Sequence, residues 1–400
     1  MAKEFRVLII GSGIAGLLVA QGLKKNGILC TVFESEPSAD HYRPREWGMS
    51  IQWGLPLLED VLPRDLFDRV YTAANDPFFS QDPPDPGFLP TWNGATGEHI
   101  KDVPLLRMIR CSRRKLRALC AENIEVVYGK RLQDVSYNDE DNTVTAIFED
   151  GSTETGNVLV GADGANSAVR TTIFGEEDAK PCTVPYSAVN LHVGYGDAAK
   201  ALFVRSKHPI MTHAIHPDGL WLWISIQDVP DPNDPATWVF QLQTTWRKTE
   251  GEDPTSLEAL KKKAETFCEP FRSANLWVPE GTTVTSNNLS YWVPVHWDNR
   301  GGRITLVGDA AHPMTFQRGQ GMNHGIKDAQ VLVQQLVSAI ADSNGVDNAL
   351  QTAVDGYQTE MVERAAEEVQ MGVLNTEMLH DWTRFSQSAL MQKGGNPNRK

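Results

Sequence analysis

Several features are missing from this chain of 400 residues, and each absence removes a class of protein. There are only five cysteines, Cys30, Cys111, Cys120, Cys182 and Cys268, scattered and never arranged as Cys-x-x-Cys. An odd, dispersed set fits reduced thiols in a cytoplasmic protein rather than a disulfide framework, and no metal site is expected. No apolar run reaches the length of about 18 residues that a membrane-spanning helix needs. The apolar stretch near the N-terminus reads as a strand rather than a signal peptide, and Asn398-Arg399-Lys400 is no peroxisomal address. Positive charge is short as well: the net charge of −14 disfavours nucleic acid and anionic membrane as partners. There is no internal repeat. What remains is a globular chain long enough for two domains, or for one large domain carrying an insertion.

What is present begins with Val7-Leu8-Ile9-Ile10 followed by Gly11-Ser12-Gly13-Ile14-Ala15-Gly16. A strand, a glycine turn and a helix bring backbone N–H groups and a helix N-terminus against a pyrophosphate. Gly11 permits the turn, Gly13 lets the backbone approach phosphate, and Gly16 allows close helix–strand packing. The next apolar run, Thr31-Val32-Phe33, ends at Glu34, where an acceptor for ribose hydroxyls is expected; an acid there favours an unphosphorylated ribose. Much later comes Leu306-Val307-Gly308-Asp309-Ala310-Ala311-His312-Pro313, followed by Gly319-Gln320-Gly321-Met322-Asn323. The first motif alone indicates a dinucleotide; the pair indicates FAD. No second glycine fingerprint is present for NAD(P)H.

The patterning predicts an α/β fold: a Rossmann-like FAD-binding domain with an inserted antiparallel sheet and C-terminal helices. The expected FAD-binding domain is discontinuous, 1–73, 101–180 and 296–341. Residues 74–100 and 181–295 are expected to form the substrate domain, and 342–400 the C-terminal helices and tail. Gly54 to Val70 reads as an amphipathic helix, and Asn93-Gly94 as a hairpin turn. Strand-like segments dominate from Tyr186 to Trp292, with one helix, Ser256 to Phe267. A long helix is predicted from Met322 to Ala341, with Ile326, Ala329, Val333, Leu336 and Ile340 on one face, and further helix over 347–380.

A third motif, Gly161-Ala162-Asp163-Gly164-Ala165-Asn166-Ser167-Ala168-Val169-Arg170, follows a buried strand. With it the chain resembles, over nearly its whole length, the single-component FAD-dependent aromatic hydroxylases, the group of para-hydroxybenzoate and salicylate hydroxylases. The resemblance implies that Asp309 holds a hydroxyl of the FAD sugar–ribityl chain. It implies that Asp163 lies where flavin and nicotinamide cofactor approach, and that Arg113, favoured over Arg110 by helix register, lies near the FAD phosphates. Arg45, in Arg43-Pro44-Arg45-Glu46-Trp47-Gly48, is the corresponding candidate in a mobile flavin loop. Gly321, Met322 and Asn323 would open a helix whose positive end favours negative charge on the reduced flavin. Simpler readings stand beside these. Asp163 could only cap a helix, Arg113 could be a solvated helix charge, and His312 and His324 are ordinary buried histidines. Pro313, Met314 and Phe316 could wall a dry pocket or belong to the core.

The implied activity is a monooxygenase. It would use NAD(P)H as a transient reductant and O2 to hydroxylate or epoxidise a small aromatic, heteroaromatic or polyketide-like molecule, in secondary metabolism. On the inserted sheet the polar and aromatic candidates are Tyr186, Arg205, His213, Trp221, Trp223, Gln241 and Gln243. Arg205 or His213 could favour a substrate phenolate. The eleven tryptophans hint at a flat substrate. A flavin-dependent halogenase is the alternative enzyme, since Trp221-Leu222-Trp223-Ile224-Ser225-Ile226 resembles the first half of its signature and departs from the rest. A plain dehydrogenase would leave Gly308-Asp309 unused, and a non-catalytic flavoprotein is the remaining alternative. The oligomeric state stays open.

Overall fold

The computed structural model describes residues 5–41, 46–79, 87–105, 107–341 and 346–394. The apolar strand Arg6–Ile10 is the centre of a five-stranded parallel sheet. Its order is Ile304–Leu306, Val158–Gly161, Arg6–Ile10, Leu29–Glu34, Val126–Tyr128. Such strands are buried on both faces, which is why they read as continuous apolar runs. The helix Ile14–Lys25 packs on this sheet, and Gly321–Ala341 packs on that helix. Close approach is possible because Gly22 has no side chain; a Cβ there would lie 2.8 Å from a Val333 methyl. Ile326, Ala329, Val333 and Leu336 are buried as the helical spacing predicts, while Ile340 is half-buried.

The inserted sheet has seven strands, in the order Thr285–Tyr291, Cys182–Gly194, Val239–Arg247, Leu220–Asp228, Met211–His216, Phe88–Asn93, His99–Pro104. All neighbours are antiparallel except Met211–His216 with Phe88–Asn93. It has its own core, separate from that around the parallel sheet. The expected domain boundary at residue 101 falls inside the strand His99–Pro104. The helix Val346–Leu379 packs along Gly321–Ala341, whereas Leu390 and Met391 of the short helix Ala389–Lys393 join the core of the inserted sheet. The C-terminal region is thus divided between the two cores.

Two local expectations need correction. Gly54 to Val70 is not one helix but the two short helices Leu58–Val61 and Arg64–Asp68, because Pro63 lacks the N–H a continuing turn needs. Arg205 is not on the sheet. It ends a helix, Ala198–Val204, whose start is capped by the Asp197 carboxylate accepting from the Lys200 N–H at 3.1 Å.

Candidate functional site

A cavity of about 440 Å³ runs from the glycine turn, past the Gly308-Asp309 turn, to the face of the inserted sheet. At its nucleotide end the three glycines of the first motif are not equivalent. Gly11 has φ +107, and a Cβ there would lie 2.5 Å from the Ala162 carbonyl oxygen; at Gly16 it would lie 2.3 Å from the Gly11 carbonyl oxygen. Both are required by the chain's own packing. Gly13 has an ordinary φ of −66, and its Cβ would meet only the Ala162 carbonyl oxygen, at 3.7 Å. Nothing in the protein requires glycine at 13, but it lines the cavity, so a side chain there would take space only from a ligand. The helix that starts at Ile14 has no side-chain cap, which leaves its first N–H groups for an anion.

Glu34 is tied to this turn. One carboxylate oxygen accepts from the Ser12 N–H (2.9 Å) and hydroxyl (2.7 Å), and the other from the Glu36 N–H (2.9 Å) and Ser35 hydroxyl (3.1 Å). Burial pushes its pKa up, but these donors outweigh burial and hold it below the usual carboxylate range. The sequence reading missed Arg117, which donates to the Ser12 carbonyl (2.9 Å) and hydroxyl (2.6 Å). Its position one helical turn beyond Arg113 was the available signal.

Asp163 is spent on helix capping. It accepts from the Ser167 hydroxyl and from the Ala168 (2.7 Å) and Val169 (3.2 Å) N–H groups of the helix Ala168–Asp178. Its neighbours Ala162, Gly164 and Ala165, not its carboxylate, line the cavity.

Asp309 differs: it faces the cavity and no protein group donates to it among the described residues. Surrounding protein raises its pKa, opposed by His312 and Arg113. Behind it, Asp328 accepts from the Gly308 N–H (2.8 Å), pairs with His312 Nε2 (2.6 Å) and receives Arg364 (2.7 Å). Both His312 and His324 are buried, as ordinary hydrogen-bonded histidines would be.

Arg113 lines the same end of the cavity. It lies 5.4 Å over the Trp47 ring and makes no ion pair among the described residues. Gly321 and Met322, at the start of the long helix, also line the cavity. The Asn323 side chain does not; it is fully buried, accepting from the Gln52 and Gly54 N–H groups and donating to the Ser50 and Gly319 carbonyls. It clamps the strand Gly48–Ile51 to the helix start. Arg45 lies outside the described residues. An uncapped helix, an unfilled glycine cradle, a free guanidinium and a free carboxylate together fit the pyrophosphate and polyol of FAD.

At the far end the wall is apolar and aromatic. Trp221 and Trp223 stack with ring centres 5.8 Å apart, facing the cavity with Leu89, Leu105, Met211, Phe316 and Leu390. Gln243 faces it too. Pro313 and Met314 are likewise cavity-lining.

Neither residue expected to favour a phenolate reaches the cavity. His213 is fully buried behind the tryptophans, accepting from Trp221 Nε1 (2.9 Å) and paired with the Thr91 hydroxyl (2.7 Å); burial pushes its pKa down to about 3, so it is neutral. Arg205 pairs with Asp76, donates to the Pro209 carbonyl (2.7 Å) and lies 4.4 Å over Trp238. Tyr186 packs against His380, ring centres 4.4 Å apart, in a separate surface groove.

A charged residue that lines the cavity beside Trp223 is Arg110, on the strand Ile109–Ser112; Arg318, two residues beyond Phe316, lines it as well. A lone charge in an otherwise uncharged strand is the signal of Arg110 in the sequence.

A family model described as "FAD binding domain" matches residues 110–371, and one described as "NAD(P)-binding Rossmann-like domain" matches residues 9–70. The chain is 42% identical to FAD-dependent monooxygenase phnB of Penicillium herquei, over 99% of this chain and 96% of that one. It is 39% identical to FAD-dependent monooxygenase cctM of Talaromyces islandicus, over 97% and 96%. Among solved structures, Klebsiella pneumoniae HpxO complexed with FAD and uric acid shares the fold, with a TM-score of 0.75 at 19% identity over 99% of this chain and 94% of that one.

Proposed function

The chain belongs to the FAD-dependent monooxygenases, and from that premise we propose that it inserts one atom of O2 into a flat, polar aromatic or polyketide-like substrate held against Trp221 and Trp223. The observation that carries this reading is the continuity of one cavity from Gly13 and Asp309 to the tryptophan wall. Bound FAD supplies electron transfer from NAD(P)H and the activation of oxygen. The protein's own residues do the rest. The glycine turn and Arg113 bind the pyrophosphate, and Asp309 accepts from a hydroxyl of the cofactor's sugar–ribityl chain. The helix starting at Gly321 directs its positive end at the site, favouring negative charge there. Leu89, Leu105, Met211, Phe316 and Leu390 exclude water from the end where substrate would lie.

The relatives are monooxygenases, so the halogenase and non-catalytic alternatives gain no support. The test is NAD(P)H oxidation and oxygen uptake by FAD-loaded protein across phenolic, indolic and polyketide compounds. Stimulation by a flat aromatic, with one oxygen atom from O2 in the product, is expected. Bound FAD with no stimulation by any aromatic would overturn the substrate reading.

A further inference from the structure

Arg110 is an uncompensated cation in the wall of the substrate end. A guanidinium carries five N–H donors. Here three bonds are made, from Nη1 to the Ser50 hydroxyl (3.2 Å) and from Nη2 to the Ser225 hydroxyl (3.1 Å) and the Gln241 amide oxygen (2.8 Å). All three acceptors are neutral. The buried Nε has no partner, and no carboxylate pairs with Arg110 among the described residues. One face of the group packs against Gly48, where a Cβ would come within 2.9 Å of it, and the Trp223 ring lies 5.2 Å away. Gln241 is itself fixed, donating to Asn190 (2.8 Å) while accepting from the Gly48 N–H (3.1 Å). The guanidinium is thus held rigidly on two strands of the inserted sheet. Burying a charge without a counter-ion is costly, so the missing partner is expected to arrive with a ligand.

The ligand's chemistry follows from the surroundings. The cation is held by polar groups and Trp223, and the cavity it lines is walled by the stacked Trp221 and Trp223 and by aliphatic side chains such as Leu89, Leu105 and Leu390, where a flat ring fits. We propose that Arg110 is the specificity-determining cation of this pocket, binding a phenolic hydroxyl of a flat aromatic substrate as its phenolate. This inference rests on the aromatic-substrate reading above. It reassigns to the strand Ile109–Ser112 the role expected of Arg205 or His213.

The groups facing Arg110 are Gly48 and Ser50 from one strand, Trp223 and Ser225 from a second and Gln241 from a third, all uncharged. Beside it on its own strand, burial pushes the Cys111 thiol up, away from its charged form. Burial lowers Arg110 itself to about 10, which leaves it charged at neutral pH. The cavity also carries Arg113, Asp309 and Arg318. Arg318 faces Glu368 at 3.3 Å, and burial pushes Glu368 up to about 7. Glu368 therefore titrates in the range of the test, and comparison with the Arg110 variants separates it.

The probe is 2-naphthol, whose anion absorbs at longer wavelength, with 2-methoxynaphthalene as the ring without an ionisable hydroxyl. Both are titrated into FAD-loaded protein between about pH 6 and pH 10, spanning the usual ionisation of a phenol. Bound naphthol is expected to ionise at least about one pH unit below free naphthol, a tenfold preference for the anion. Arg110→Lys retains part of that shift, and Arg110→Met abolishes it while keeping a full complement of FAD. Naphthol that ionises in the wild-type pocket as it does in water overturns the inference, a result that needs no variant to fold. So does a shift that survives Arg110→Met, or an Arg110→Met protein that loses FAD but keeps the shift. If both naphthalenes bind without a shift, the aromatic pocket stands and the role of Arg110 falls. If neither binds, both fall.

Discussion

The two ends of the cavity are built in opposite ways. At the nucleotide end, short continuous segments carry the chemistry: one glycine turn, one Gly-Asp turn, and the helices that follow them. Backbone geometry does most of the work, and the exact glycine positions matter. At the substrate end no segment carries the chemistry alone. Arg110, Gln241, Trp223 and Ser50 come from four strands, and strand register brings them together. On the proposed assignment, cofactor recognition is a local property of the chain, and substrate recognition a property of how its sheets pair.

The comparison breaks most sharply at the glycines. Gly13→Val is expected to fold and to bind no measurable FAD, whereas Gly16→Val is expected to damage the fold itself, since its Cβ would collide with backbone. Flavin absorbance after desalting, with circular dichroism of the apoproteins, checks this; a yellow Gly13→Val protein would show that the phosphates lie elsewhere. Next comes Asp309→Ala. No protein partner is lost, so stability should hold while FAD affinity falls by about 10- to 100-fold, from the loss of roughly 1.5–3 kcal/mol for a hydrogen bond to a charged group. Fluorescence titration with FAD measures it, and unchanged affinity would remove Asp309 from the cofactor site.

The smallest effect belongs behind the substrate wall. His213→Leu leaves the Trp221 N–H unpaired and the Thr91 hydroxyl with only the Met391 sulfur at 3.8 Å, costing about 1–3 kcal/mol of stability without loss of FAD. It should also change the response to acid. His213 is held near pKa 3 when folded and returns to the ordinary 6.5 when unfolded. Its contribution is present above pH 6.5 and is lost as pH falls from 6.5 toward 3, by up to about 1.4 kcal/mol per pH unit. Urea unfolding at several pH values should show a shallower acid loss in His213→Leu; parallel slopes would mean the histidine is not neutral in the fold.

The same contrast explains what was legible in the sequence. The glycine turn, the end of the second strand at Glu34, the Gly308-Asp309 turn and the long helix behind it are readable because each is a local pattern with a local cause. Arg205 was misplaced because Ala198–Val204 is a short helix among strands, signalled only by the Asp197 cap. His213 was correctly put on a strand, but side-chain alternation does not say that Trp221 would cover it. Helix register favours Arg113 over Arg110, and both line the cavity. Register is silent about a strand whose partners lie more than a hundred residues away, at Ser225 and Gln241. Asp163 shows the reverse: its motif is conspicuous, yet its carboxylate serves the helix that follows.

The parallel sheet also has a history. Its outermost strand, Ile304–Leu306, and the turn bearing Asp309 come after the whole inserted sheet in the chain. During synthesis, then, the glycine turn emerges early and waits. The parallel sheet gains this edge strand, and the cavity the Asp309 turn, only after all seven strands of the inserted sheet have been made, so the cavity that spans both is complete only when both halves have assembled.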